Sequence, residues 1–160
     1  MELHFSSLRT DTAALLNELA NRSELSGFSL VGGTALALYY GHRESIDLDL
    51  FTTEKFSSEE LKVLLQKDFP LEELGQTRVS LNLLVKEVKT DFIYHPYPVL
   101  APGEEYGKIK IASLKDICAM KLNAIAGRGA KKDFIDFYFL LQQFSLEDML
   151  AFYLSKYPNT

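Results

Sequence analysis

The alternation Ser45-Ile46-Asp47-Leu48-Asp49-Leu50-Phe51 constrains this chain more than any other stretch. Ile46, Leu48 and Leu50 alternate with the two aspartates, the pattern of a short strand with one apolar face. Successive side chains on a strand point to opposite sides, so Asp47 and Asp49 emerge together, roughly 6–7 Å apart at the backbone. Like charges so placed repel, and a cation between them relieves the repulsion. Oxygen-only ligands suit Mg²⁺ or Mn²⁺. An acidic pair on a solvated strand face fits the same residues.

Upstream, Phe28-Ser29-Leu30-Val31 reads as a buried strand, followed at once by Gly32-Gly33-Thr34. Ala35 to Tyr40 is then apolar all round and rich in helix formers. A strand, a glycine turn and a helix start offer backbone N–H groups and a helix dipole to an anion. Thr34 is placed to cap the helix or to hydrogen-bond a phosphate oxygen. Thirteen residues lie between Gly33 and Asp47, enough for one helix and a return to a neighbouring strand. The anion cradle and the carboxylates then fall at the same end of a sheet.

Gly-Gly-Thr, a helix and Asp-Leu-Asp-Leu resemble the signature of the nucleotidyltransferase superfamily with the DNA polymerase beta fold. The fuller run from Val31 through Gly41-His42-Arg43-Glu44 to Phe51 is similar to the AbiEii/AbiGii toxin family. Many superfamily members carry Gly-Ser where this chain has Gly32-Gly33, which leaves Thr34 as the hydroxyl for a phosphate. The resemblance implies a third carboxylate from a later strand. Asp91 is the candidate, in a segment (Val88 to Tyr94) that forms a hairpin with Val79 to Val85 through Lys86-Glu87. Asp91 shares a face with Lys89 and Ile93, a pattern that a surface aspartate also fits.

A second constellation follows. Ser113 and Asp116 look like the capping start of a helix that runs to Ala126; Gly127-Arg128-Gly129 breaks it, and another begins near Lys131. Lys121 sits among apolar neighbours, where a lysine snorkels or meets an anion. In the AbiEii-like pattern Lys121, Arg128, Lys132, Asp133 and Asp136 match recurring positions. The resemblance implies that Lys121 contacts a nucleoside triphosphate, that Asp133 positions it or the lysine, and that Arg43 and Arg128 belong to the nucleotide site. The bland alternative is a solvent-facing Lys121 and an Asp133–Arg128 ion pair between helices.

The remaining segments fill out an α+β chain. A helix is expected over Leu8–Leu25, another after Ser57, and a last one over 145–157; Ile109-Lys110-Ile111 reads as a short edge strand. The aromatic run Phe134, Phe137, Tyr138, Phe139 reads as core. His42 and His95 have no partner at ligand spacing and read as structural or peripheral. The proline-rich stretch Tyr94 to Gly103 separates a catalytic half (1–100) from a helical portion (101–160) that packs on it and completes the nucleotide site. The expected architecture is a small mixed or antiparallel sheet flanked by helices, the nucleotidyltransferase fold, with a C-terminal helical portion.

Net charge −5 argues against a broad nucleic-acid surface. The basic residues Lys108, Lys110, Lys115, Lys121, Arg128, Lys131 and Lys132 nonetheless gather in the last third, to serve either a local site or a solvated face. No apolar run reaches the roughly 20 residues that span a bilayer, the N-terminus has no secretory pattern, and the single Cys118 reads as a core residue, so a cytoplasmic protein is expected. The expected chemistry is transfer of a nucleoside monophosphate from an NTP to an acceptor hydroxyl, with Asp47, Asp49 and Asp91 holding Mg²⁺ or Mn²⁺ and Gly32, Gly33 and Thr34 holding the triphosphate. The resemblance implies a toxin with an antitoxin partner and a tRNA 3′ end as acceptor. Nucleotidylation of a protein hydroxyl, and a non-catalytic binding module on the same fold, are the alternatives.

Overall fold

A computed structural model describes residues 2–158 of the 160. Among them a seven-stranded mixed sheet runs in the order β3-β4-β5-β2-β1-β7-β6. The strands are β1 (Ser29–Val31), β2 (Leu48–Thr52), β3 (Leu71–Gln76), β4 (Ser80–Val85), β5 (Val88–Tyr94), β6 (Glu104–Tyr106) and β7 (Ile109–Ile111). The helices are α1 (Thr10–Ala20), α2 (Gly32–Tyr40), α3 (Ser58–Gln66), α4 (Leu114–Gly127), α5 (Lys131–Leu140) and α6 (Leu146–Lys156). The fold is of the α+β class expected, a mixed sheet with helices packed on it.

One face of the central strands makes the core. Leu48 and Leu50 on β2, Thr90 and Phe92 on β5, and Leu81 and Leu83 on β4 are all buried, as are Leu15, Leu16 and Leu19 of α1 and Leu61 and Leu65 of α3. The opposite face carries Asp49, Asp91 and Asn82. This explains the untidy Lys89/Asp91/Ile93 face of β5: it is the strand side turned away from that core. Thr34 to Tyr39 of α2 are buried throughout, as expected of a helix that is apolar all round, and α2 packs against β1, β2, α4 and α5.

Helix starts obey local chemistry. Ser57, Ser113 and Ser145 each accept a hydrogen bond from the backbone N–H three residues on, capping α3, α4 and α6. Asp116, in the first turn of α4, is buried and receives Ser113 Oγ at 2.6 Å and Lys156 Nζ at 2.7 Å, which anchors α6 to α4.

Four expectations change. The first helix is only Thr10–Ala20, because Leu8 instead makes a parallel bridge with Ser45, and Ser23–Leu25 is a separate 3-10 turn. Strand β7 is interior, lying parallel to β1, and β6 takes the edge beside it. The sheet therefore continues past residue 100. The largest reversal is on α5, whose buried residues are Asp133, Asp136 and Leu140. Phe134 and Tyr138 are more than half exposed, because the cations described below draw the two aspartates inward.

Candidate active site

Strand pairing places the carboxylates. Asp49 lies opposite Val31 of β1 on one side and Asp91 of β5 on the other, and Asp91 lies opposite Asn82 of β4. Neighbouring strands are about 4.8 Å apart, so Asp49 and Asp91 stand side by side. Asp47 precedes β2 rather than lying within it. Its loop is tied down from two sides: Thr12 Oγ1 donates to the Ile46 carbonyl at 2.8 Å, and the Thr34 hydroxyl donates to the Asp47 carbonyl. Asn82 Nδ2 donates to Asp91 Oδ1 at 2.9 Å and Lys89 Nζ to Oδ2 at 3.2 Å.

Asp49 has no such partner cation at contact distance among the ion pairs described. Burial, then the negative charges of Asp91 and Asp47, push its carboxyl up to about 6. This is the signature of an acidic cluster short of positive charge. The donor set fits a hard divalent cation. Among the described residues no three His, Cys, Asp or Glu side chains form a ready-made cage. Mg²⁺ seldom uses one; it takes one or two carboxylates and completes its shell with water and substrate phosphates.

The glycine turn closes on this row. Gly32 has φ +73°, and a Cβ there would lie 2.7 Å from Asp49 Oδ2. A Cβ on Gly33 would run into the Arg43 guanidinium. Side chains at either position are excluded by what the turn must approach. The residue before α2 is Val31, with no side-chain cap, so its first N–H groups have no side-chain acceptor there. Thr34 differs from expectation. It is buried, its hydroxyl is shared between Ser45 Oγ at 2.6 Å and the Asp47 carbonyl, and it neither caps α2 nor has its hydroxyl free for a phosphate. Gly32→Ala should cost about 1–2 kcal/mol in a thermal melt from the left-handed backbone alone and should displace Asp49.

The cations arrive from α4, its C-cap and the loop after α2, held from behind by two buried aspartates of α5. Asp136 receives Arg43 in bidentate fashion (2.8 and 2.9 Å), His42 Nε2 at 2.6 Å and Lys121 Nζ at 2.8 Å. Asp133 receives Arg128 in bidentate fashion (3.0 and 2.8 Å), Lys121 at 3.2 Å and the Ala130 N–H at 3.0 Å. Burial would raise both carboxyls, but the paired cations outweigh it: Asp133 is held down at about 2 and Asp136 well below the ordinary range. Lys121 is thus buried, not solvent-facing, and the expected Asp133–Arg128 pair exists together with the lysine contact.

A cleft of about 730 Å³ joins the two groups: Gly32, Gly33, Asp47, Asp49 and Asp91 on one wall, Arg43, Lys121, Arg128 and Lys132 on the other. Asp133 and Asp136 stand behind that wall. Of the basic residues of the last third, Lys121, Arg128 and Lys132 line the cleft, whereas Lys115 stacks over Phe152 and Lys156 pairs with Asp116. His42 serves Asp136, and His95 meets the Tyr157 hydroxyl at 3.0 Å. Cys118 is buried and its thiol is pushed up to about 12 by burial, consistent with a core role.

Sequence reasoning missed Asn82, Ser45 and the His42–Asp136 link. Asn82 was within reach: counting back from a two-residue turn at Lys86-Glu87, both of positive φ, pairs position 82 with 91. Nothing local points from His42 to a residue 94 positions away.

The chain matches the family model described as nucleotidyl transferase AbiEii toxin, type IV TA system, over residues 14–70 and 61–158. It is 35% identical over 158 residues to the Aquifex aeolicus (strain VF5) protein called uncharacterized protein aq_aa25, covering 95% of this chain and 77% of that one. Its fold is similar to that of JHP933 from Helicobacter pylori, with TM-score 0.62 and 20% identity over 94% of this chain and 80% of the other. It is likewise similar to the nucleotidyltransferase toxin MenT4 from Mycobacterium tuberculosis H37Rv, with TM-score 0.56 and 15% identity over 91% and 65% of the two chains. Among the described residues no helix is long and apolar enough to cross a membrane. The chain therefore belongs to the AbiEii nucleotidyltransferase toxin family.

Proposed function

We propose that this enzyme moves a nucleoside monophosphate from an NTP to the 3′-terminal hydroxyl of a tRNA, with Mg²⁺ or Mn²⁺ in the cleft, as the toxin of a pair with an antitoxin. The observation that carries the reading is the opposition of Asp49 and Asp91, over the Gly32 turn, to Arg43, Lys121 and Arg128 across one cleft. The uncapped start of α2 and the two glycines accept the triphosphate tail, and Lys121 and Arg128 meet its negative charge. Arg128 is suited to this because its side chain is 57% exposed although Asp133 holds it. Asp133 and Asp136 fix the cations in advance, so little reorganisation is needed when substrate arrives. Asp49 and Asp91, with Asp47 beside them, would hold a divalent cation, which would supply charge stabilisation at the attacked phosphorus and lower the pKa of the acceptor hydroxyl. In-line attack by that hydroxyl breaks the α–β phosphoanhydride bond and releases pyrophosphate; no protein nucleophile is needed.

The family resemblance supports the tRNA acceptor, and so does Lys132, an exposed cation lining the cleft across from the carboxylates. The experiment supplies four α-labelled NTPs with purified total tRNA, or with cell protein, in Mg²⁺. Label on the tRNA 3′ end, removed by EDTA, is expected; label on protein alone would replace the acceptor, and no label on either would overturn the reading.

A further inference from the structure

Beside the catalytic cleft lies a second chamber of about 260 Å³, and the two share Val31, Phe51, His95 and Met120 as common wall. Position along the strands links them. Phe51 follows Asp49 by two residues on the same face of β2, about 7 Å further on, and His95 comes four after Asp91, just past the end of β5. From a phosphorus held at the carboxylates, the chamber is therefore a ribose length away along the sheet.

Its chemistry suits a flat, uncharged heterocycle. The Phe51 and His95 rings are 5.0 Å apart, and the His95 and Tyr97 rings 4.6 Å. Burial, with Lys156 adding to it, pushes the His95 ring down to about 4, so it is neutral at pH 7. The buried charges on the wall, Asp116 and Lys156, neutralise each other at 2.7 Å, and the further charged residue of the lining, Lys110, is exposed to solvent. Ser26, Ser29 and Thr53 supply uncharged polar edges. A polyphosphate gains little in such a place, whereas stacking on rings and hydrogen bonding at the edge recognise a base.

We infer that this chamber binds the nucleobase of the donor NTP, with Phe51, His95 and Tyr97 as its ring contacts. The inference rests on the triphosphate reading above, and calorimetric titration in Mg²⁺ separates the two. The probes are inorganic tripolyphosphate and the four α,β-methylene NTP analogues, with the full-length protein. Tripolyphosphate should bind the wild type, and at least one analogue should bind about ten-fold tighter, the scale of one stacked base. Tyr97→Ala should remove most of that difference and leave tripolyphosphate affinity unchanged, which also certifies the fold. Tyr97 is 40% exposed, so truncation opens no core cavity; Phe51→Leu, which removes a ring but keeps apolar bulk, repeats the comparison. Four analogues that bind no tighter than tripolyphosphate, or a preference untouched by both variants, would overturn the base chamber alone. A wild type that fails to bind tripolyphosphate would overturn the triphosphate reading and the inference with it.

Discussion

Asp49→Asn should abolish nucleotidyl transfer and at the same time make the metal-free protein more stable. The activity loss should be about 10³-fold or more, since a carboxylate that holds a catalytic cation carries several kcal/mol of transition-state stabilisation. The stability gain follows from the carboxyl's rise from 3.8 to about 6, caused by burial and by Asp91 and Asp47. A carboxyl raised on folding binds more protons in the native than in the unfolded state between those values, so wild-type stability falls as pH rises through that window. Above pH 6 the whole penalty is present, up to about 3 kcal/mol at 1.36 kcal/mol per unit; below pH 4 it is absent. Thermal melts of wild type and Asp49→Asn in EDTA should thus diverge at pH 7.5 and converge at pH 3.5. Equal melting temperatures at pH 7.5 would mean that Asp49 is not under the strain described.

Asp136→Ala should be the most destabilising single change in the site, by about 3–5 kcal/mol, the usual result of removing one partner from a buried ion pair. Asp136 is fully buried and meets His42, Arg43 and Lys121 together. Without it, His42, whose buried Nδ1 has no hydrogen-bond partner among the described residues, loses its bond through Nε2. The pH dependence runs opposite to that of Asp49. A carboxyl held below its ordinary value stabilises the fold above the unfolded value of 3.8 and loses that contribution as pH falls through the folded value. Denaturant titration at pH 7 should show the full loss, and the gap to wild type should close in strong acid. Asp136→Asn, which keeps the shape and can still accept a hydrogen bond, should cost less than Asp136→Ala. A variant that melts within 1 kcal/mol of wild type would show the network to be no more than surface-grade pairing.

These two aspartates differ in how visible they were beforehand. The place of Asp49 on a strand next to a glycine turn was plain because Leu48 and Leu50 alternate with it and the turn precedes it at one-helix distance; its role as a metal ligand came from that spacing together with the family resemblance. Capping serines likewise located the starts of α3, α4 and α6. Helix α5 was misread because hydrophobic periodicity favours burying its aromatic residues. Its orientation is decided instead by His42 and Arg43, distant in sequence, and by Lys121, whose charges need buried counter-ions. Thr34 was misread for a similar reason: a hydroxyl beside a phosphate-binding turn invites a substrate role, but the Asp47 loop needed a donor. Strand β6 lacks alternation in Glu104-Glu105-Tyr106, though Gly107-Lys108 before Ile109 is a two-residue hairpin connection.

On the proposed function, Asp49 and Asp91 hold a divalent cation against the triphosphate at the Gly32 turn. A crystal soaked in Mn²⁺ with an α,β-methylene NTP, measured at the manganese edge, tests it most directly. An anomalous peak bonded to oxygens of both aspartates and to phosphate is expected, with no peak there in Asp49→Asn. A peak elsewhere, with these two carboxylates bare beside a bound nucleotide, would contradict it.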